Sequence, residues 1–321
     1  MTFIASVVAR KGVAIIADSL VTASRPVLDG EDFLAFLKSK AANGEPLASI
    51  NVQATEIVQL FSPTASYTKD YEEKLFKMDK FSAITTAGAA AINDKRIEEH
   101  VKEIIRQLKP GATFEDKVNN FCALLNIQAV EHVKKQERIT TTVLIFTHFD
   151  KESSQTTIFK AEVIPCQLTM IDPDTHNCIG LTKMDDYYKV VCDGQNRISD
   201  KILWGEVEFF HEITPKIVEK VIADLGCQNV PANYVQEFID KSRSEILTKQ
   251  FYDDLKISEL GNLSLQQAVD LAALLMAIEM NIQKYTENIP TVGGVIKLAT
   301  IDRRGFKWVS GNNIHEPKTI H

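Results

Sequence analysis

Hydrophobic positions in this chain fall in short runs rather than long spans. Residues 3–9 (FIASVVA) and 13–17 (VAIIA) are apolar and partly β-branched, separated by Arg10-Lys11-Gly12. That pattern predicts a strand, a glycine-containing tight turn and a second strand, closed by Asp18. Residues 74–78 (KLFKM) and 81–87 (FSAITTA) flank Asp79-Lys80 in the same way and predict a second hairpin. From Gly88 to about Leu108 the period lengthens: Ile92, Ile97, Val101, Ile104, Ile105 and Leu108 share one helical face. Pro110-Gly111 ends that helix. Thr113-Phe-Glu-Asp116 opens the next in the manner of a capping box, with Asp in place of the usual Glu, and the apolar period carries it to roughly Lys135.

Strands are expected near Thr140–Thr147, Thr156–Ile164 and Tyr187–Cys192, and helical pieces near 197–204, 213–225 and 232–250. Ser264-Leu-Gln-Gln267 is a full capping box before a long apolar helix to about Ile282. Strands at 294–301 and 306–309 around Asp302-Arg-Arg-Gly305 close the chain. Hairpins dominate, so the sheets are expected to be antiparallel. Paired helices between paired hairpins fit two sheets packed face to face with helices on their outer faces, an α+β fold. Ser24 to Tyr71 reads as an irregular insertion with a short helix near Phe33–Leu37. Residues 206–262 form a second insertion, and residues 312–321 a loose polar tail. The expectation is a single domain over 1–311, with insertions at about 24–71 and 206–262.

Composition narrows the function classes. The chain has 321 residues, with Lys+Arg 36 against Asp+Glu 43 for a formal charge of −7, 45% hydrophobic and 25% charged. An acidic balance argues against nucleic acid or an anionic membrane as partner, since both reward clustered Lys and Arg. Cys122, Cys166, Cys178, Cys192 and Cys227 are odd in number and contain no Cys-x-x-Cys pair, so they read as reduced thiols of a cytoplasmic protein. The longest apolar run, Leu271 to Ile278, is far short of the ~18 residues of a membrane span. No basic residue precedes Phe3–Ala9, so no secretory signal is expected.

The candidate chemistry lies at the start. Thr2 follows the initiator Met at the first position of a core strand. Once Met1 is removed, Thr2 would carry an α-amine of pKa around 7.7–8 beside its own hydroxyl, making nucleophile and base one residue. Asp18 ends the second strand and Lys74 begins the third, so neighbouring antiparallel strands are expected to bring them together. An ammonium beside the amine would favour its neutral form, and the carboxylate would hold that ammonium charged. Gly88, at the expected strand-to-helix junction, could offer its N–H to a developing oxyanion. Each residue has a plainer role as well: a Thr after Met is common, Asp18 and Lys74 can be strand-end residues, and Gly88 can serve helix–sheet packing.

Joint spacing brings out a family. Residues 2–22 (TFIASVVARKGVAIIADSLVT) resemble the N-terminal hairpin of proteasome β subunits and the related bacterial ring peptidase. Residues 73–90 (EKLFKMDKFSAITTAGAA) resemble their next hairpin, and residues 292–309 (VGGVIKLATIDRRGFKWV) their closing one. The resemblance implies the four-layer αββα sandwich of N-terminal-nucleophile hydrolases. It also implies a threonine peptidase cleaving amide bonds, with Thr2 as nucleophile and base, Asp18 and Lys74 as the activating pair and Gly88 as oxyanion donor. Thr22 would pair with the substrate backbone, and Val21, Thr86 and Ala90 would line the first specificity pocket. The implied partners are peptide or unfolded-protein substrates and further copies of the chain in a ring, with no cofactor and no metal.

Two stretches depart from the family pattern. Asp193-Gly194-Gln195-Asn196 stands where family members carry a Gly-Ser-Gly turn. Thr291-Val292-Gly293-Gly294 stands at a Ser-Gly-Gly entry, with Ile289 and Pro290 where an Asp would fall. Ser199 or Asp193 are candidates to substitute for the missing groups. The departures leave open an inactive scaffold or assembly subunit, and the same residues also suit a small-molecule amidohydrolase. Asp172-x-Asp174-x-His176 can be drawn as a metal site, but a Pro-containing turn explains it better.

Overall fold

The computed structural model describes residues 2–42, 56–57, 60–69, 72–136, 141–164, 177–185, 189–204, 216–223, 237, 260–286 and 290–311. Two five-stranded antiparallel sheets form its centre. The first has the order β12-β1-β2-β13-β14, built from β1 (Phe3–Ala9), β2 (Gly12–Ala17), β12 (Val190–Gly194), β13 (Lys297–Asp302) and β14 (Gly305–Ser310). The second has the order β11-β10-β9-β6-β5, from β5 (Leu75–Lys77), β6 (Ser82–Gly88), β9 (Thr142–Phe149), β10 (Thr156–Val163) and β11 (Ile179–Lys183).

Covering both faces of each sheet explains why the strands read as unbroken apolar runs. Along β1, Phe3, Ala5, Val7 and Ala9 belong to one cluster and Ile4 to another. Along β2, Ala14 and Ile16 face one side while Val13, Ile15 and Ala17 face the other. The central cluster joins the two sheets, through Ile4, Ile15, Leu75, Ile145 and Ile301 among others. A hydrogen bond of 2.8 Å between the Ser6 and Thr147 hydroxyls also crosses that interface.

The outer clusters are helical. Helices α2 (Ile97–Gln107) and α3 (Phe114–Gln136) cover the second sheet, with Val101, Phe121 and Phe146 in one core and the Phe121 and Phe146 rings edge to face. The first sheet is covered by α4 (Arg197–Trp204) and α5 (Leu265–Thr286), through Leu203, Ala268, Ala272, Leu275 and Met276. By length and composition α5 could cross a membrane, but one face of it packs on this sheet. Layers therefore run helix, sheet, sheet, helix.

The caps follow the sequence. Gln267 N–H donates to Ser264 Oγ at 3.2 Å, and Ser264 N–H to Gln267 Oε1 at 2.8 Å. At α3, Asp116 N–H donates to Thr113 Oγ1 at 3.1 Å, while the Asp116 carboxylate takes the Thr113 hydroxyl at 2.6 Å instead of reaching the backbone. The shorter aspartate thus closes only half of the box.

Three expectations need correction. No helix opens at Gly88: β7 (Ala91–Ile92) and β8 (Lys95–Arg96) form a small hairpin first, turned by Asn93 (φ 50°) and Asp94 (φ 62°) in the left-handed region. Ile92 is fully buried from that hairpin, so its place on the apolar period came from a turn. Second, the described residues of the insertion expected at about 24–71 include regular elements. A hairpin of β3 (Val21–Leu28) and β4 (Phe61–Lys69) brackets α1 (Gly30–Ala42). Third, a strand forms where none is expected, β11 over Ile179–Lys183, whose mixed sequence IGLTK carries no alternating pattern. The helical piece expected at 213–225 is present over 216–223. Most of 232–250, the tail, the Asp172–His176 stretch, Cys166 and Cys227 lie outside the described residues.

The β5–β6 turn offers a test. Asp79 Oδ1 accepts Phe81 N–H at 2.8 Å and Oδ2 accepts Lys117 Nζ at 2.7 Å, tying the second sheet to α3. Burial pushes the Asp79 carboxyl up, but Lys117 and the Phe81 amide outweigh it and hold the group below the ordinary carboxylate range. A carboxyl held low in the folded chain adds stability above its unfolded pKa and loses it as pH falls through the folded value. Asp79→Asn should therefore cost about 1–2 kcal/mol at neutral pH, and the difference in denaturant midpoint should close as pH falls below the ordinary carboxylate range.

Candidate active site

Residue 2 is held because β1 is an inner strand. Phe3 pairs with Gly194 of β12 on one side, and Ile4 pairs with Ala17 of β2 on the other. The Thr2 carbonyl accepts Gln195 N–H at 2.6 Å, and Thr2 is only 3% exposed. Gly194 is required by this approach. Its φ is +91°, and a Cβ there would lie 1.9 Å from Thr2 O and 3.3 Å from Ala87 Cβ at the end of β6.

Asp18 and Lys74 do come together at Thr2, but not as neighbouring strands. Asp18 follows β2 in the first sheet and Lys74 precedes β5 at the edge of the second, so they meet across the sandwich. Lys74 Nζ donates to Thr2 Oγ1 at 2.7 Å, to Asp18 Oδ1 at 3.0 Å and to Leu20 O at 2.5 Å. These three bonds use all the donors of an ammonium. Asp18 Oδ1 also accepts Phe3 N–H at 3.2 Å, and Oδ2 accepts Gly293 N–H at 3.1 Å. Asp18 is 1% exposed and Lys74 6%. Burial draws the Lys74 pKa below the ordinary lysine range, against the opposing pull of Asp18. The same burial presses the Asp18 carboxyl upward, opposed by Lys74 and the two amides.

A second ion pair flanks the first. Lys297 of β13 lies opposite Ala17, the residue before Asp18, and its Nζ pairs with Glu73, the residue before Lys74. The same Nζ stands 5.4 Å from the Trp308 ring centroid. Both sides of the Asp18–Lys74 contact are therefore fastened across the sheets.

The remaining expected residues are spread around this cluster. Thr86 is buried, and its N–H donates to Lys74 O at 2.9 Å. Val21 and Thr22 are half-buried at the start of β3, and Thr22 Oγ1 donates to Pro290 O at 3.3 Å. One edge of β3 is taken by β4, with Thr22 opposite Thr68; no strand lies on the other edge among the described residues. Ala90 is exposed, and its carbonyl accepts Ile97 N–H at 3.0 Å. Gly88 ends β6 at φ +109°, where a Cβ would lie 2.3 Å from Thr141 O; it leads into a hairpin, not a helix. The two substitutes named for the departing stretches bond elsewhere. Asp193 Oδ2 pairs with Lys160 at 2.6 Å, and Ser199 N–H donates to Glu279 Oε1 at 2.7 Å.

Sequence reasoning missed Gln195, Thr291 and Gln283 as a group. Thr291 Oγ1 donates to Gln195 Oε1 at 2.7 Å, and Gln283 Oε1 accepts the N–H groups of Thr291 at 2.6 Å and Val292 at 3.0 Å. The available signal was a Glu and a Gln four apart on an apolar helix, Glu279 and Gln283, each 1% exposed. Among the described residues, burial pushes the Cys122 thiol up to about 12 and the Cys192 thiol well above its ordinary value, which disfavours the reactive thiolate at both. Among the described residues no group of three or more His, Cys, Asp and Glu is arranged to hold a metal. Comparison of the chain with protein-family models and with curated proteins finds no match.

The Gly194 contact gives a direct check. Gly194→Ala places a methyl against Thr2 O in a backbone region that alanine avoids, and should cost at least about 1–3 kcal/mol. A thermal melt unchanged from the parent would contradict the packing described for residue 2.

Proposed function

We propose that the chain is a threonine-type N-terminal-nucleophile hydrolase that cleaves amide bonds of peptides after Met1 is removed. One observation carries the reading: a buried Lys74, already paired with Asp18, donates to the hydroxyl of the residue that becomes the N-terminus. In this reading Lys74, paired with Asp18, is an ammonium that gives its three protons to acceptors and cannot take the hydroxyl proton. The base is then the freed α-amine of Thr2. The amine accepts the Oγ1 proton, Oγ1 attacks the substrate carbonyl, and Lys74 stabilises the oxygen as it loses its proton. Collapse releases the amine product, which takes that proton, and leaves an ester on Thr2. Water then hydrolyses the ester and restores the hydroxyl. Gly88 N–H is the proposed oxyanion donor, and Val21, Thr22, Thr86 and Ala90 the proposed substrate contacts.

The two antiparallel sheets flanked by helices are compatible with the proteasome β-like sandwich that the three hairpin segments resemble, and support for the family rests on that resemblance. A ring of several copies and a cytoplasmic site of action belong to the same proposal.

The reading predicts a bell-shaped pH profile. Rate rises as the α-amine deprotonates, at or below about pH 7.7–8 since Lys74⁺ repels its charged form, and falls in alkali as Lys74, drawn down by burial, loses its proton. Intact mass should show Met1 absent from the active protein. Thr2→Ala should lower hydrolysis of a fluorogenic peptide-amide panel by about three orders of magnitude or more. A purified protein that retains Met1, or a Thr2→Ala variant as active as the parent, would overturn the proposal; retained Met1 would favour an inactive scaffold.

A further inference from the structure

Besides the adjoining Phe3 amide, which donates to Asp18 Oδ1, Thr2 is tied to Asp18 by two routes. The first is the Lys74 ammonium. The second starts at the Thr2 carbonyl, which accepts Gln195 N–H at 2.6 Å. The Gln195 side chain accepts the Thr291 hydroxyl at 2.7 Å, and two residues further on Gly293 N–H donates to Asp18 Oδ2 at 3.1 Å. Gly293 O in turn accepts Ser19 N–H at 3.1 Å and Leu20 N–H at 3.0 Å, so this loop fixes the backbone between two of the Lys74 acceptors, Asp18 and Leu20. The loop has no strand or helix pairing of its own over 290–294. What fixes it is Gln283 of α5, whose Oε1 takes two successive amides, Thr291 and Val292, and stands 3.2 Å from the Thr291 hydroxyl. Two amide donors set the orientation of that side chain, leaving Gln283 Nε2 buried with no hydrogen-bond partner among the described residues. A buried donor without a partner is destabilising, and an apolar side chain at this helix position would avoid it. Stability of α5 alone therefore gives no reason for a glutamine here; holding the loop does.

We infer that Gln283, Thr291 and Gln195 form a positioning relay that sets the nucleophile residue and Asp18 in register from the helix layer outside the first sheet. The inference rests on the proposed role of Thr2. None of the three is assigned contact with substrate: Gln283 acts on the loop, Thr291 joins loop to Gln195, and Gln195 holds the Thr2 carbonyl. The relay stands at the two stretches where the sequence departs from the proteasome pattern, and supplies amide and hydroxyl groups there.

The test uses the full chain with Met1 removed, and three variants: Thr291→Val, which keeps shape and deletes the hydroxyl, Thr291→Ser, which restores it, and Gln283→Met. Two readouts are taken on protein whose circular dichroism matches the parent. A threonine-directed β-lactone should acylate Thr291→Val and Gln283→Met about 10- to 100-fold more slowly at saturation, with little change in the half-saturating concentration, and Thr291→Ser at close to the parental rate. Amide hydrogen exchange at Gln195 and Gly293 should be at least about tenfold faster in Thr291→Val and Gln283→Met than in Thr291→Ser. Parental acylation rates in Thr291→Val and Gln283→Met would overturn the relay. If the parent itself is not acylated, the Thr2 reading fails, and the exchange measurement still decides the relay: unchanged exchange at both amides overturns it. Should Thr291→Val not fold, the Gln283→Met and Thr291→Ser comparison carries the same two outcomes.

Discussion

An ammonium placed between two sheets is the constraint around which the rest of this structure is arranged. Lys74 comes from the edge of one sheet, and its three acceptors, Thr2 Oγ1, Asp18 Oδ1 and Leu20 O, come from or beside the other. A charge held there is costly unless each donor is met, and breaking such a pair by removing one partner costs far more than an exposed pair does. The sandwich therefore has to hold its sheets in one register at this end. It does so with the apolar cluster between them, the Ser6–Thr147 bond and the Glu73–Lys297 pair beside the site. The charged group that would serve chemistry is thus also a point at which sheet packing is specified.

The end of β1 shows the same economy. A residue just outside the end of a strand is ordinarily held loosely. Here it is fixed because β1 has strands on both sides and because Gly194 lets β12 approach the Thr2 carbonyl more closely than any side chain would allow. Strand pairing and close packing thus hold the backbone at the place where the proposed nucleophile needs to be.

Much of this was legible in the sequence, for identifiable reasons. Strands β1, β2, β6, β9 and β13 are buried on both faces, rich in apolar residues and bounded by turn residues, and two helices carried capping signals, so their existence and order could be read. The hairpin of β7 and β8 could not, because strands of two residues are too short to alternate and the left-handed Asn93-Asp94 turn leaves no periodic mark; Ile92, five residues before Ile97, is off the period of the helix it was read into. Thr2, Asp18 and Lys74 were found as residues, but their meeting was assigned to adjacent strands. Which strands share a sheet depends on pairing across long separations, which local pattern does not encode. Gln195, Thr291 and Gln283 were harder still. They act through backbone amides of a glycine-containing loop, and a lone glutamine on an apolar helix has no characteristic spacing. Amide side chains are a natural choice in that place. Gln283 accepts two amides with one oxygen and brings no charge into a site already holding an ion pair.

The central claim is that the N-terminal threonine, and no other side chain, is the nucleophile. The most direct measurement is to treat the active protein with a β-lactone, digest it with trypsin and map the adduct by tandem mass spectrometry. The account predicts a single adduct on the N-terminal peptide beginning at Thr2 and ending at Arg10, carried as an ester on the Thr2 hydroxyl. An adduct on any other residue, or an N-terminal peptide that still begins with Met1 in protein that is active, would contradict it.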